Sequence, residues 1–239
     1  AGLSPKAVVL TTTVRALKYH GGADLNSLTT PDTAALEKGM PNLEKHLENI
    51  KQFNVTPVIA INRFTSDSEE EIQLIKGKAR SLGIACAVAD LWAKGGEGAI
   101  QLAEKVMAVA GSDPPVFDPM YDWSWDVKKK IETVATKIYG AEHVDYSPQA
   151  KKDLKKIAEL GLEQMPVCIA KTHLSLSSDP TLHGAPTGWT LPVREVRASV
   201  GAGFVYPICG AMSTMPGLGA SPALQRIDID ADGEIVGLS

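Results

Sequence analysis

The sequence predicts an α/β protein, with part of a parallel sheet in the first half and a smaller α+β unit in the second. Three observations carry this. Short β-branched runs alternate with helix-period segments up to about residue 110, a proline- and aromatic-rich break follows at 111–126, and strand-and-loop patterning takes over beyond 165. Domains are therefore expected at 1–112 and 113–239.

Residues 7–11 (AVVLT), 57–62 (PVIAIN) and 84–89 (IACAVA) read as buried parallel strands. Between them, Leu43, Leu47 and Ile50 form one apolar helical stripe, with Glu44, Lys45, Glu48 and Lys51 on other faces. Ile72, Ile75, Ala79 and Leu82 form a second. Ser66 and Glu69 are spaced as a capping box that opens this second helix, and Gly83 stands where a helix-ending glycine belongs. A third helix is expected from about Gly98 to Ala110. Alternation of this kind implies right-handed crossovers and a sheet covered on both faces.

Beyond the break, Val127, Ile131, Val134 and Ile138 line one helix. Ser147 and Pro148 cap and open another, which continues through Leu154 and Ile157. MPVCIAK, LPVREVRASV and GFVYPICG read as strands, and RIDIDADGEIVGL as a hairpin about an Asp-Gly turn.

For a chain of this mass, surface scaling expects roughly 10,000 Å² exposed when folded against about 37,000 Å² unfolded, enough burial for a core without disulfides or a structural metal. A net charge of -4, from 24 basic and 28 acidic residues, gives no electrostatic footprint for nucleic acid or an anionic membrane. Neither partner is expected. Cys86, Cys168 and Cys209 are far apart and set in apolar runs, which reads as buried thiols in a reducing, cytoplasmic compartment. There is no apolar stretch of membrane-spanning length and no signal-peptide layout. The chain starts on Ala1 and enters a strand almost at once, which reads as a segment of a longer protein.

Ligands of open α/β sheets bind beyond the carboxyl ends of the strands. Two such ends are unusual here. One is Asn62-Arg63-Phe64-Thr65-Ser66-Asp67, and the other is Asp90-Leu91-Trp92-Ala93-Lys94-Gly95-Gly96-Glu97-Gly98. If the strands are neighbours, Phe64 and Trp92 either form a slot for a flat heterocycle or pack beneath the following helices; spacing leaves both open. Gly95, Gly96 and Gly98 open a helix and suit either an anion or a tight turn, and no Walker A loop occurs. Asp228, Asp230 and Asp232 copy half of a calcium loop, but Ser239 stands where the bidentate Glu belongs, so a plain hairpin is favoured. The histidines show no ligand spacing; His46 reads as solvated, and His20 as a loop contact or a residue preceding a turn. Lys171, Thr172, His173, Ser175 and Ser177 are donors suited to an anion or to their own turns, and Met212, Met215 and Pro216 read as core and turn residues.

Taken together, these segments resemble the formate–tetrahydrofolate ligase (10-formyltetrahydrofolate synthetase) family. AGLSPKAVVL, TVRALKYHGG, TPVIAINRFTSDSE, WAKGGEGA, KIYGAEHV, PVCIAKTHLSLS, LPVREVRASVGAGF, MSTMPGL and IDIDADGEIVGL recur in family order over essentially all 239 residues. The resemblance implies the C-terminal portion of a P-loop NTPase-like parallel sheet followed by a smaller α+β domain. It implies ATP-dependent formylation of tetrahydrofolate through formyl phosphate, with ATP and Mg held mostly by an N-terminal part that precedes this segment. Phe64, Thr65, Trp92, Lys94, Gly95 and Gly96 become folate-binding residues, and Asn62 and Arg63 nucleotide-binding residues. No catalytic or metal-ligating residue is expected in the segment itself, which alone is expected to bind folate weakly without turnover. The family usually has Pro where Thr65 and Gly219 stand, and Phe where Ser239 stands.

The expected partners are tetrahydrofolate, formate, ATP and the missing N-terminal half, with homo-oligomerisation of the full-length protein. A different class of reading is a non-catalytic folate-binding or docking module that pairs with a separate N-terminal chain. An α/β core divided in this way should expose apolar sheet surface.

Overall fold

The computed structural model describes residues 4–112, 116–172, 174–212 and 221–237. Strands β1 (Val8–Thr12), β2 (Pro57–Asn62) and β3 (Ala85–Ala89) pair in parallel in that order, with β2 in the centre and buried over its first five residues. The register sets Leu10 beside Ile59, Ile59 beside Cys86 and Ile61 beside Val88, so these side chains share one face. Against that face pack helices α1 (Val14–His20), α2 (Thr33–Lys51) and α3 (Glu69–Ser81), through Val14, Leu17, Leu43, Leu47, Ile72 and Ile75.

The expectation of a sheet covered on both faces is met in part. Crossovers that advance in one direction along a sheet keep the same hand and place their helices on the same side. The opposite face, which carries Ala60, Ala87 and Ala89, is met by α5 (Ile100–Gly111), a helix with no buried residue. Apolar surface stays open there: Val9 is 41% exposed and Met107 72%.

Helices α1 and α2 cross at backbone contact. A Cβ on Gly39 would lie 1.8 Å from the Leu17 carbonyl oxygen, and one on Gly21 would lie 1.8 Å from that of Ala35. Only glycine fits at either position. The N-cap of α3 is Ser68 instead of Ser66, with Glu71 completing the box: Ser68 Oγ accepts the Glu71 N–H at 3.2 Å, and Glu71 Oε2 accepts the Ser68 N–H at 3.0 Å. Both spacings satisfy the motif, but only Glu71 also accepts from the buried Lys18 ammonium and the Asp32 N–H, each at 2.9 Å. Gly83 follows the C-cap in left-handed geometry, φ 67°, as expected.

A second core contains α6 (Val127–Lys137), α7 (Pro148–Glu159) and a three-stranded sheet in which β4 (His143–Tyr146) runs parallel to β5 (Thr190–Ser199), and β5 antiparallel to β6 (Phe204–Cys209). Ile131, Tyr146, Leu191, Val193 and Val205 fill it. The expected Ser147–Pro148 helix start is present, with Ser147 Oγ accepting the Ala150 N–H at 3.0 Å.

MPVCIAK is not a continuous strand. It meets β6 through isolated bridges at Val167 and Ala170, because the residue of β6 that should donate between them is Pro207, which has no N–H. At the far end, β7 (Asp228–Ile229) and β8 (Ile235–Val236) form the expected hairpin, in which Asp230 Oδ1 accepts the N–H groups of Asp232 and Glu234. The cysteines are free, but only Cys209 is buried; Cys86 is half-buried and Cys168 exposed. His173, Met215, Pro216, Gly219 and Ser239 lie outside the described residues. Among the described residues no helix is long and apolar enough to cross a membrane.

Candidate functional site

Strands β2 and β3 end side by side, and their following segments wall a single open cavity of about 640 Å³. Asn62, Arg63, Phe64 and Thr65 border it from the β2 side; Asp90, Trp92, Ala93 and Lys94 border it from the β3 side. Six of the eight residues singled out in the sequence therefore meet in one place, and Gly95 and Gly96 stand outside the wall.

Each wall has a local cause. After Asn62 the chain turns so that the Asp67 carboxylate, itself buried, accepts the Phe64 N–H at 2.8 Å. This pins the backbone that carries the ring. Beyond β3, Asp90 precedes α4 (Leu91–Lys94) without a side-chain capping bond, and this single helical turn leaves Trp92 88% exposed. The expected helix start at Gly98 is corrected: a 3-10 turn over Gly95–Ala99 intervenes, and α5 begins at Ile100.

The glycines belong to that turn. Gly95 has φ 56°, and a Cβ on Gly98 would lie 2.2 Å from the Asp90 carbonyl, where the loop closes by an Asp90 N–H to Gly98 carbonyl bond of 3.0 Å. Lys94 Nζ lies 3.6 Å from Asp90 Oδ2, so a cation and an anion both face the mouth.

Sequence reasoning missed Arg15. Its guanidinium carbon lies 4.3 Å from the Phe64 ring centroid, and Nη2 donates to Ser66 Oγ at 3.0 Å. No sequence signal marks it, since Arg15 and Ser66 are 51 positions apart, on either side of β2. The helix that bears Arg15 is fixed by the Lys18–Glu71 pair, whose side chains are 1% and 0% exposed. Hydrogen bonds from Lys18, the Asp32 N–H and Ser68 outweigh burial and hold the Glu71 carboxyl down at about 2.

A second polar cavity, about 500 Å³, opens beyond β1 and is bordered by Thr12, Thr13, His20, Asn42, His46 and Ser175. The expectation of a solvated His46 is corrected: it is half-buried, with Nε2 2.8 Å from Ser175 Oγ. The periodicity of α2 placed it on a polar face, but the loop after residue 171 folds over that face. Asn42 Nδ2 donates to the same hydroxyl at 2.9 Å and to the Gly184 carbonyl at 2.8 Å. Burial, then the neighbouring Lys171, lowers the His46 pKa, and burial takes Lys171 down to about 8. His20 Nδ1 accepts the Gly184 N–H at 3.3 Å, so its loop contact is present. These residues clamp the loop onto the first core. Among the described residues no group of three His, Cys, Asp or Glu side chains is placed to hold a metal.

Fold and cavity together define an α/β protein with a ligand-sized aromatic cavity at the tips of adjacent parallel strands. The particular family follows from comparison with known proteins. The chain belongs to the formate–tetrahydrofolate ligase family, whose profile matches residues 1–239. A curated formate–tetrahydrofolate ligase from Saccharopolyspora erythraea is 49% identical over 250 aligned positions; the match covers 100% of this chain and 44% of that relative. The chain thus spans less than half the length of the relative it matches.

Proposed function

We propose that this chain supplies the tetrahydrofolate slot of a formate–tetrahydrofolate ligase, which uses ATP to formylate tetrahydrofolate to 10-formyltetrahydrofolate through formyl phosphate. The observation that carries this reading is the placement of Phe64 and Trp92 beyond adjacent strand tips around one cavity. Two aromatic planes hold a flat heterocycle by offset stacking, each adding about 0.5 to 1.5 kcal/mol beyond area burial. Their role is orientation: they present the folate amine to the formyl donor, and acid–base chemistry is not asked of them. Thr65 and Lys94 shape the entrance, with Gly95 and Gly96 setting the turn behind it, while Asn62 and Arg63 help to place the nucleotide base.

In this reading the sheet is the C-terminal portion of a P-loop NTPase-like core. Phosphoryl transfer depends on charge neutralisation by Mg²⁺, lysine and backbone amides. The nucleotide, its metal and formate are assigned mainly to residues outside this chain. The chain alone is proposed to bind folate without turnover.

The test is Trp92→Ala. Folate affinity should fall about tenfold, and nucleotide affinity in the complete enzyme should stay near that of the parent. An unchanged Michaelis constant for tetrahydrofolate would sink the slot. The open apolar face at Val9 and Met107 also favours a second reading, a docking module for a separate N-terminal chain. Calorimetry with tetrahydrofolate, with and without that half added, separates the two.

A further inference from the structure

We propose that Arg15 tunes the slot for an electron-rich ring, selecting the reduced pterin over the oxidised one. This rests on the slot reading above. Phe64 borders the cavity whereas Arg15 does not, and the guanidinium lies over the Phe64 ring, 4.3 Å from its centroid; in this proposal it backs the face turned from the ligand. Arg15 makes one side-chain hydrogen bond among the described residues, to the uncharged Ser66 Oγ, and its Nε is buried without a partner. Its charge is therefore directed at the ring.

A cation on one face of an aromatic ring draws π density toward itself, which leaves the opposite face less negative. A face depleted in this way stacks better on an electron-rich partner. In tetrahydrofolate the saturated ring nitrogens donate into the pyrimidinone; in folic acid the fused pyrazine withdraws from it. The two ligands share a shape class at the pyrimidinone and differ in electron density, which is the property Arg15 acts on.

The geometry is also held rigidly enough to matter. Ser66 fixes one edge of the guanidinium, Asp67 fixes the Phe64 backbone, and the buried Lys18–Glu71 pair joins α1 to α3 on either side of them. Arg15 is thus a positioning and specificity residue that acts through Phe64.

The experiment is a fluorescence titration of the purified chain with tetrahydrofolate under anaerobic conditions and with folic acid, in the parent and in Arg15→Met, Arg15→Lys and Phe64→Ala. Arg15→Met should weaken tetrahydrofolate binding about three- to tenfold. Folic acid should change by no more than about twofold, so the preference collapses. Arg15→Lys, which keeps a cation over the ring, should retain the preference. Arg15→Gln serves as the neutral variant if the methionine variant does not fold. An unaltered ratio of the two affinities in both neutral variants overturns the proposal. Failure of the slot reading looks different: Phe64→Ala would then leave both affinities unchanged, or the parent would bind neither ligand.

Discussion

Glu71→Gln is the most telling single perturbation of the scaffold behind the slot. Both Glu71 oxygens are fully engaged: Oε1 accepts from Lys18 Nζ and the Asp32 N–H at 2.9 Å each, and Oε2 from the Ser68 N–H at 3.0 Å and its hydroxyl at 2.8 Å. A glutamine amide keeps one acceptor and must turn its NH₂ toward either Ser68 or Lys18, where it meets a donor. The Lys18 ammonium, 1% exposed, then stays buried without a counter-charge. Removing one member of such a pair costs about 3 to 5 kcal/mol. For a chain of this size that lowers the melting temperature by about 10 °C.

The pH dependence supplies a second, independent reading. The Glu71 carboxyl is held at about 2 against an ordinary 4.5, so its stabilisation is fully present above about 4.5 and is lost as pH falls through 2. A difference of that size corresponds to about 3 kcal/mol. Urea denaturation at pH 7 and at a series of acid values should show the parent losing this stability on acidification and the variant lacking that limb. A variant within about 1 kcal/mol of the parent at pH 7, or with the same acid limb, refutes the reasoning.

Two other outcomes follow from the packing. Gly39→Ala forces a Cβ to 1.8 Å from the Leu17 carbonyl, so α1 and α2 must separate; a loss of more than about 3 kcal/mol is expected in denaturant titrations, with Gly77→Ala, which meets no neighbour, as the harmless control. His46 is held neutral by burial and by Lys171, so its contribution is complete above the ordinary 6.5 and falls as pH drops through its lowered folded value. His46→Gln should lose the part of the parent's stability change between about pH 7.5 and 5.5 that stems from this group, read as a flatter stability profile.

Most of the first core was legible because period and punctuation agree there. PVIAIN is β2 to the residue, and Gly83 ends α3 where expected. Errors arose where two local solutions were equally good, or where a distant partner decided. Ser66 and Ser68 both head an S-x-x-E motif, and Lys18, fifty-three residues from Glu71, breaks the tie. His46 looks solvated on its helix until a loop more than a hundred residues away brings Ser175 over it. MPVCIAK has the pattern of a strand and fails only because its partner strand contains Pro207. At the site, Phe64 and Trp92 announce themselves by lying at strand ends. Arg15 does not, because a cation–π contact leaves no spacing in the chain.

The two aromatic walls differ in how they are held, and the difference bears on how such a slot works. Phe64 is 37% exposed and is fixed through its backbone by Asp67 and through its ring by Arg15. Trp92 is 88% exposed and rides on four residues of helix, none of which is buried. Ordering a side chain costs rotamer entropy, and that cost is already met at Phe64 before a ligand arrives. At Trp92 it is met on binding, offset by burial of the largest apolar side chain at the site. A preformed wall fixes the angle of the heterocycle, and an adaptable one closes on it and sheds water. In the proposed slot the fixed wall would govern orientation and electronic preference, whereas the exposed one would govern affinity. For this reason Arg15 substitutions are read in the ratio of two ligands, and Trp92 substitutions in the strength of one.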